Sequence, residues 1–319
     1  MPGQDLSSIA AVGIILTAMA VVALIEAVIP LHCRNRWNRA HVGPNLTLTF
    51  ITFATNLVLN SALVMTLTRL QSNRVGLLYV FDLPPLVAVA IAVLTLDLSF
   101  YVCHVFMHKI PAFWRFHSVH HSDPAVDVTT TIRQHPGESV IRYAFLSGFA
   151  VALGASPGAF AVYRLWSALN GLAEHSNLRL PPRLDSALSL VFTWPNLHKV
   201  HHSRDARFAD TNYGNLVSWW DRLFITFTPA RYGTNIVCGL DGFDDPAMQT
   251  TAGLLAMPFH DADASGGTTS QSAGSEPERG PPAAACSSGG GRLLLRRPLR
   301  QRRLEVGGVV GPSPWESRA

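Results

Sequence analysis

The chain has 319 residues, of which 48% are hydrophobic and only 14% charged, against about 25% charge in an ordinary soluble domain. Lys and Arg exceed Asp and Glu by 25 to 21, and half of that excess lies in residues 260–319. This excludes the clustered basic face that a nucleic-acid binder requires, and it points to a membrane.

In chain order, the first apolar stretch runs from Ile9 to Pro30 and is interrupted only by Glu26. A crossing needs about 20 residues, so 9–30 is expected to span a bilayer. The preceding MPGQDLSS lacks the basic segment of a signal peptide. Residues 46–68 carry no charge and residues 83–107 only Asp97, which predicts two more spans. Loop charges, with Arg34, Arg36 and Arg39 after the first span and Lys109, Arg115 and Arg133 after the third, predict an external amino terminus and a cytoplasmic side for the region beyond the third span.

That region holds the anomaly of the composition. Ten of the thirteen histidines fall between His104 and His202. His104 and His108 are spaced i, i+4 at the end of the third apolar stretch, so on a helix they share a face. FHSVHHS then places His117, His120 and His121 at i, i+3, i+4, and LHKVHHS repeats that spelling with His198, His201 and His202. Neutral imidazole is a common transition-metal ligand, and eight of them exceed one tetrahedral zinc, so two metal ions are expected. His175 closes an apolar segment as His108 does and is expected to join them. His135, in RQHPGES, is assigned a supporting role rather than haem ligation. Asp97, two turns before His104, is expected either to orient a ligand's second nitrogen or to serve as a buried helix-capping or interhelical partner. No ExxH or HExxH motif occurs, which removes the ferritin-like and zincin patterns.

Between the two triplets, the uncharged run 144–161 is broken by Gly154, Ser156, Pro157 and Gly158. A single crossing there would put the triplets on opposite sides of the membrane, so re-entrant or paired short helices over about 140–173 are expected. From residue 260 the Gly, Ser, Pro and Arg content predicts a disordered tail over 260–319. The fold class read from this pattern is all-α: an integral, multi-pass membrane bundle over 1–259 with a cytoplasmic histidine-rich helical cap.

With HVFMH, FHSVHH, HKVHH, DTNYGN and WWDRLF in place, the sequence resembles the fatty acid hydroxylase and sterol desaturase superfamily, from the first apolar stretch to about residue 245. The resemblance implies a non-haem diiron centre that uses O2 as co-substrate to hydroxylate or desaturate a lipid. It implies His104, His108, His117, His120, His121, His198, His201 and His202 as iron ligands, with His175 joining them from an HxN-like position completed by Asn177. It also implies Arg133, His135, Glu138, Asn212 and Asp221 as supporting residues. Family members commonly read WDxLFGT, whereas Ile225 follows Phe224 here, so the usual glycine turn is expected to be missing. The chain has no GxGxxG, CxxCH or iron–sulfur cysteine run. Electrons are therefore expected from an external ferredoxin- or cytochrome-type donor. The competing reading is a non-redox zinc-binding membrane protein: a transporter, a scaffold or a hydrolase.

Overall fold

The structure, a computed structural model, describes residues 2–32 and 40–260. Arg34, Arg36 and Arg39, on which the charge-based orientation rests in part, and the expected tail over 261–319 lie outside the described residues. Among the described residues there is no strand, only three isolated bridges. The helices are α1 (Pro2–Val28), α2 (Val42–Ser72), α3 (Pro85–Lys109), α4 (Pro111–His121), α5 (Pro136–Leu153), α6 (Pro157–Glu174), α7 (Pro182–Leu188), α8 (Pro195–His201), α9 (Ala206–Ala209), α10 (Trp219–Leu223) and α11 (Thr251–Ala256).

Three segments are long and apolar enough to cross a bilayer: Ala10–Val28, Val42–Tyr79 and Pro85–Lys109. They coincide with the three expected spans. Many of their apolar side chains face outward, among them Leu24, Val58 and Leu86. An apolar surface of this kind is stable in hydrocarbon and costly in water.

Proline repeatedly marks where a helix begins. Pro85, Pro111, Pro136, Pro157, Pro182 and Pro195 each occupy the first turn of their helix, where the missing N–H would have no partner in any case. At Pro111 this creates the cap. Ile110 leaves helical geometry (φ −101°, ψ 114°) and α4 restarts in a new direction, so the chain leaving α3 folds back over its own end.

Residues 136–174 form two antiparallel helices, α5 and α6. Gly154 ends α5 in the left-handed conformation (φ 71°), and Ser156 caps α6 by accepting from Ala159 N at 3.1 Å. The tip of this pair packs on the α2–α3 connection so tightly that a Cβ on Gly154 would lie 2.8 Å from Gly76 Cα and 2.6 Å from Val75 O. The pair therefore runs beside α2 and α3 as far as their connection. Leu63, Leu67, Leu96, Leu146, Phe160 and Tyr163 fill the space between these four helices. α1 packs alongside through Met19, which meets Val128 and Leu172.

Candidate metal centre

The hairpin returns the chain to the end of α3, so both triplets meet. Nine histidines fall into two groups: His104, His108, His117, His121 and His201, and His120, His175, His198 and His202. Within each group the candidate ligand atoms all lie within 4.8 Å of one another. The HxxHH spelling gathers three rings on one side of a helix, yet each triplet serves both groups. His117 and His121 enter the first and His120 the second, while His198 and His202 enter the second and His201 the first.

Five Nε2–Nε2 approaches of 3.0–3.1 Å describe the interior: His104–His117, His117–His121, His120–His175, His175–His198 and His198–His202. A hydrogen-bond chain cannot account for them, because one Nε2 holds either one proton or one lone pair, and His117, His175 and His198 each meet two neighbours. Nitrogens about 2.1 Å from a shared ion and at right angles around it would be about 3.0 Å apart. The donor set therefore fits metal ions.

The outer nitrogens reinforce this. Nδ1 of His104, His175 and His201 lies 2.8, 2.9 and 2.8 Å from the carbonyl oxygens of Tyr213, Gly171 and Thr211. A carbonyl can only accept, so these three rings carry the proton on Nδ1 and turn a lone pair inward. Glu138 Oε1 sits 3.1 Å from His117 Nδ1, and Asp210 Oδ1 3.4 Å from His108 Nδ1. Burial, then neighbouring imidazoles, holds His117, His120, His121 and His198 well below the usual histidine range. Burial likewise brings His175 to about 4. Neutral, desolvated rings are the form that ligates a transition metal.

A cavity of about 730 Å³ ends at this centre. His104, His120, His175 and His198 line its inner end, and Phe53, Val64, Leu146 and Phe160 its apolar walls. Val12 on α1 and Leu57 and Met65 on α2 line it while also lying on the outer face, so it is reachable from the side.

Residues 89–226 match the model of the fatty acid hydroxylase family. Alkylglycerol monooxygenase of Danio rerio is 33% identical over 141 residues, 44% of this chain and 30% of that protein. Ornithine lipid hydroxylase OlsE of Rhizobium tropici is 31% identical over 172 residues, 54% of this chain and 50% of that protein. This chain resembles the fatty acid hydroxylase superfamily over residues 89–226. It spans between about a third and a half of these relatives' own length. A cholesterol 25-hydroxylase-like protein of Danio rerio, also similar, is 24% identical over 43% of this chain and 54% of its own. No solved structure matches.

The expected supporting residues surround the centre at different distances. Arg133 is fully buried and donates to Val119 O (2.9 Å), Asn45 Oδ1 (2.8 Å), Ser122 Oγ and Gln249 Oε1 (both 2.7 Å), bracing α4 against α2. Glu138 touches His117 and pairs with Arg142 at 2.7 Å. His135 stands in neither histidine group; it caps α5 by accepting from Gly137 N at 2.9 Å, its ring between Phe116 and Phe259. Asn177 exchanges bonds with the backbone of His32. Asn212 joins Leu197 O to Thr228. Asp221 accepts from Tyr213 N and Gly214 N at 2.7 and 2.9 Å, and so supports the stretch of chain whose carbonyl holds His104.

For Asp97 the ligand-orienting reading is corrected and the buried-partner reading holds. The carboxylate does not reach a histidine; its oxygens accept from Leu216 N (2.9 Å), Val217 N (3.3 Å) and Trp220 Nε1 (2.9 Å). Leu216 and Val217 precede α10, which carries Trp220, and a buried carboxylate on α3 satisfies the donors that the short bridge to Phe192 leaves over. The turn after WWDRLF is also different from expectation: it is present without its glycine, and Ile225 adopts φ 61°.

Sequence reasoning missed a second buried network. His41 Nδ1 lies 3.0 Å from Asp123 Oδ2 and its Nε2 3.3 Å from Asp127 Oδ2, with Asn45 Nδ2 2.9 Å from Asp123 Oδ2. Burial alone would lower the His41 pKa, but Asp123 and then Asp127 outweigh it and raise it to about 9. The available signal was Asp123, one residue beyond the first HxxHHS box and flanked by Pro124.

Proposed function

We propose that this chain is a membrane lipid monooxygenase: an O2-dependent, non-haem diiron enzyme that hydroxylates a lipid C–H bond with electrons from an external ferredoxin- or cytochrome-type donor. The observation that carries the reading is the set of nine buried imidazoles, sorted into two groups, at the inner end of a laterally open apolar cavity. Relatives named as monooxygenase and hydroxylases favour oxygen insertion over desaturation.

An alkyl C–H bond is not acidic enough for histidine or carboxylate to deprotonate, so the reaction needs redox chemistry. His104, His108, His117, His121 and His201 would hold one iron ion and His120, His175, His198 and His202 a second, and the pair would supply the redox chemistry with dioxygen. The protein's own contribution is placement. Carbonyls of Tyr213, Gly171 and Thr211 hold three rings in one tautomer, and Arg133 fixes α4, which carries three more. Burial excludes bulk water from the centre, while the apolar walls align the chain to be oxidised.

With the histidine groups on the cytoplasmic side, as the loop charges predict, the cap would meet soluble electron carriers. Two measurements test the proposal. Protein purified without added metal should contain about two irons per chain, and expression in a lipid-producing host should yield a lipid heavier by one oxygen. Zinc in place of iron, with hydrolytic turnover, would replace this reading with a hydrolase.

A further inference from the structure

Two arginines line the cavity, and they are satisfied differently. Arg142 lies over the Phe100 ring, 4.5 Å from its centroid, and forms an ion pair with Glu138 at 2.7 Å. Arg164, midway along α6, lies over the Tyr143 ring at 5.2 Å. Among the described residues, no carboxylate lies within ion-pair distance of it. A ring face contributes roughly 0.5–2 kcal/mol to a cation, far less than a counter-ion in a site shielded from water. A charge held at the edge of an apolar bundle normally has a partner, and Arg142 shows how this cavity provides one.

The walls near Arg164 have further polar capacity. Asn60 and Ser61 line the cavity from α2, and Asn60 Oδ1 receives only a long 3.5 Å bond from the Tyr143 hydroxyl. Asn56 Oδ1, Ser99 Oγ and Ser139 Oγ are buried without a hydrogen-bond partner and line the same space. A cavity meant for plain hydrocarbon would leave these groups unsatisfied. An oxygen-bearing ligand would not.

We propose that Arg164 binds the anionic headgroup, carboxylate or phosphate, of an amphiphilic substrate whose chain then runs along the apolar wall to the histidines. Arg164 precedes His175 by three helical turns on α6, roughly 16 Å of axis. The headgroup anchor thereby acts as a ruler for the position that is oxidised. This inference names the substrate class of the site proposed above, and its test reads binding alone.

The full chain in a neutral maltoside detergent is titrated with the fluorescent fatty acid cis-parinaric acid and, separately, with its methyl ester, which differs only in charge. Wild type and Arg164→Lys are expected to bind the acid roughly tenfold more tightly than the ester, the size of one charge-assisted contact. Arg164→Gln is expected to bind both equally while eluting as the same monodisperse species. Displacement of the probe by dodecanoate but not lysophosphatidate assigns a carboxylate; the reverse assigns a phosphate. Equal affinity for acid and ester in the wild type, a preference that survives in Arg164→Gln, or displacement by neither competitor overturns the proposal. Iron content and product formation are measured separately, so a protein that binds the acid selectively yet oxidises nothing would refute the monooxygenase reading and leave this one standing.

Discussion

Raising the pH should loosen the junction between α2 and the first histidine triplet, through His41. Its imidazole is held between Asp123 and Asp127 and its pKa stands at about 9, against 6.5 for an ordinary histidine. Because the folded pKa is the higher one, the folded state binds the proton more tightly. The stabilisation is therefore complete below about pH 6.5 and is lost as the pH rises through 9. The difference between the two values corresponds to about 3 kcal/mol, a large share of the stability of a folded domain. Thermal unfolding in detergent, followed from pH 6 to 10 for wild type and His41→Asn, measures it. The wild type should lose its advantage over the variant progressively above pH 6.5 and retain little of it above pH 9. A gap between the two proteins that stays constant across this range would refute the charged-pair argument and reduce His41 to a packing residue.

Three other predictions concern the backbone and the metal. Ile225→Gly should stabilise the protein by about 1 kcal/mol, because Ile225 holds φ 61° with a side chain 92% exposed, and a β-branched residue is strained there; an unchanged or lower melting temperature would contradict this. Gly154→Ala should cost about 2 kcal/mol or more, since the new Cβ would meet the backbone of Val75 and Gly76 at 2.6 and 2.8 Å, and melting in detergent would register it as a drop of several degrees. His120→Ala should reduce iron from about two per chain to about one, measured by elemental analysis of protein that still inserts into the membrane, because His120 belongs to only one of the two groups. Full occupancy in that variant would remove His120 from the ligand set.

Much of the architecture could be read from local pattern. The three apolar stretches are visible because a bilayer demands length and hydrophobicity, both of which a sequence displays directly. The triplets are visible because i, i+3, i+4 spacing has only one spatial meaning on a helix. How each triplet divides between two groups was not legible, since it depends on the angle at which α4 and α8 face each other, and that angle is set by Pro111 and by residues remote in sequence. Asp97 was ambiguous for the same reason. Its position two turns before His104 suggested a ligand ring as one partner, but the segment before α10 takes the carboxylate for the amides of Leu216 and Val217. The prolines that open six helices were present in the sequence and carried more information about boundaries than hydropathy did. His41 was obscured because its partner Asp123 lies 82 residues away.

The side opening lined by Val12, Leu57 and Met65 has a kinetic consequence. A ligand that enters there arrives from within the leaflet and never passes through bulk water. What governs occupancy is then its mole fraction among the surrounding amphiphiles. Diluting the assay with buffer should leave the rate per molecule unchanged, whereas diluting the micelle or vesicle with inert detergent should slow it, so apparent Michaelis constants for this protein belong in units of surface composition.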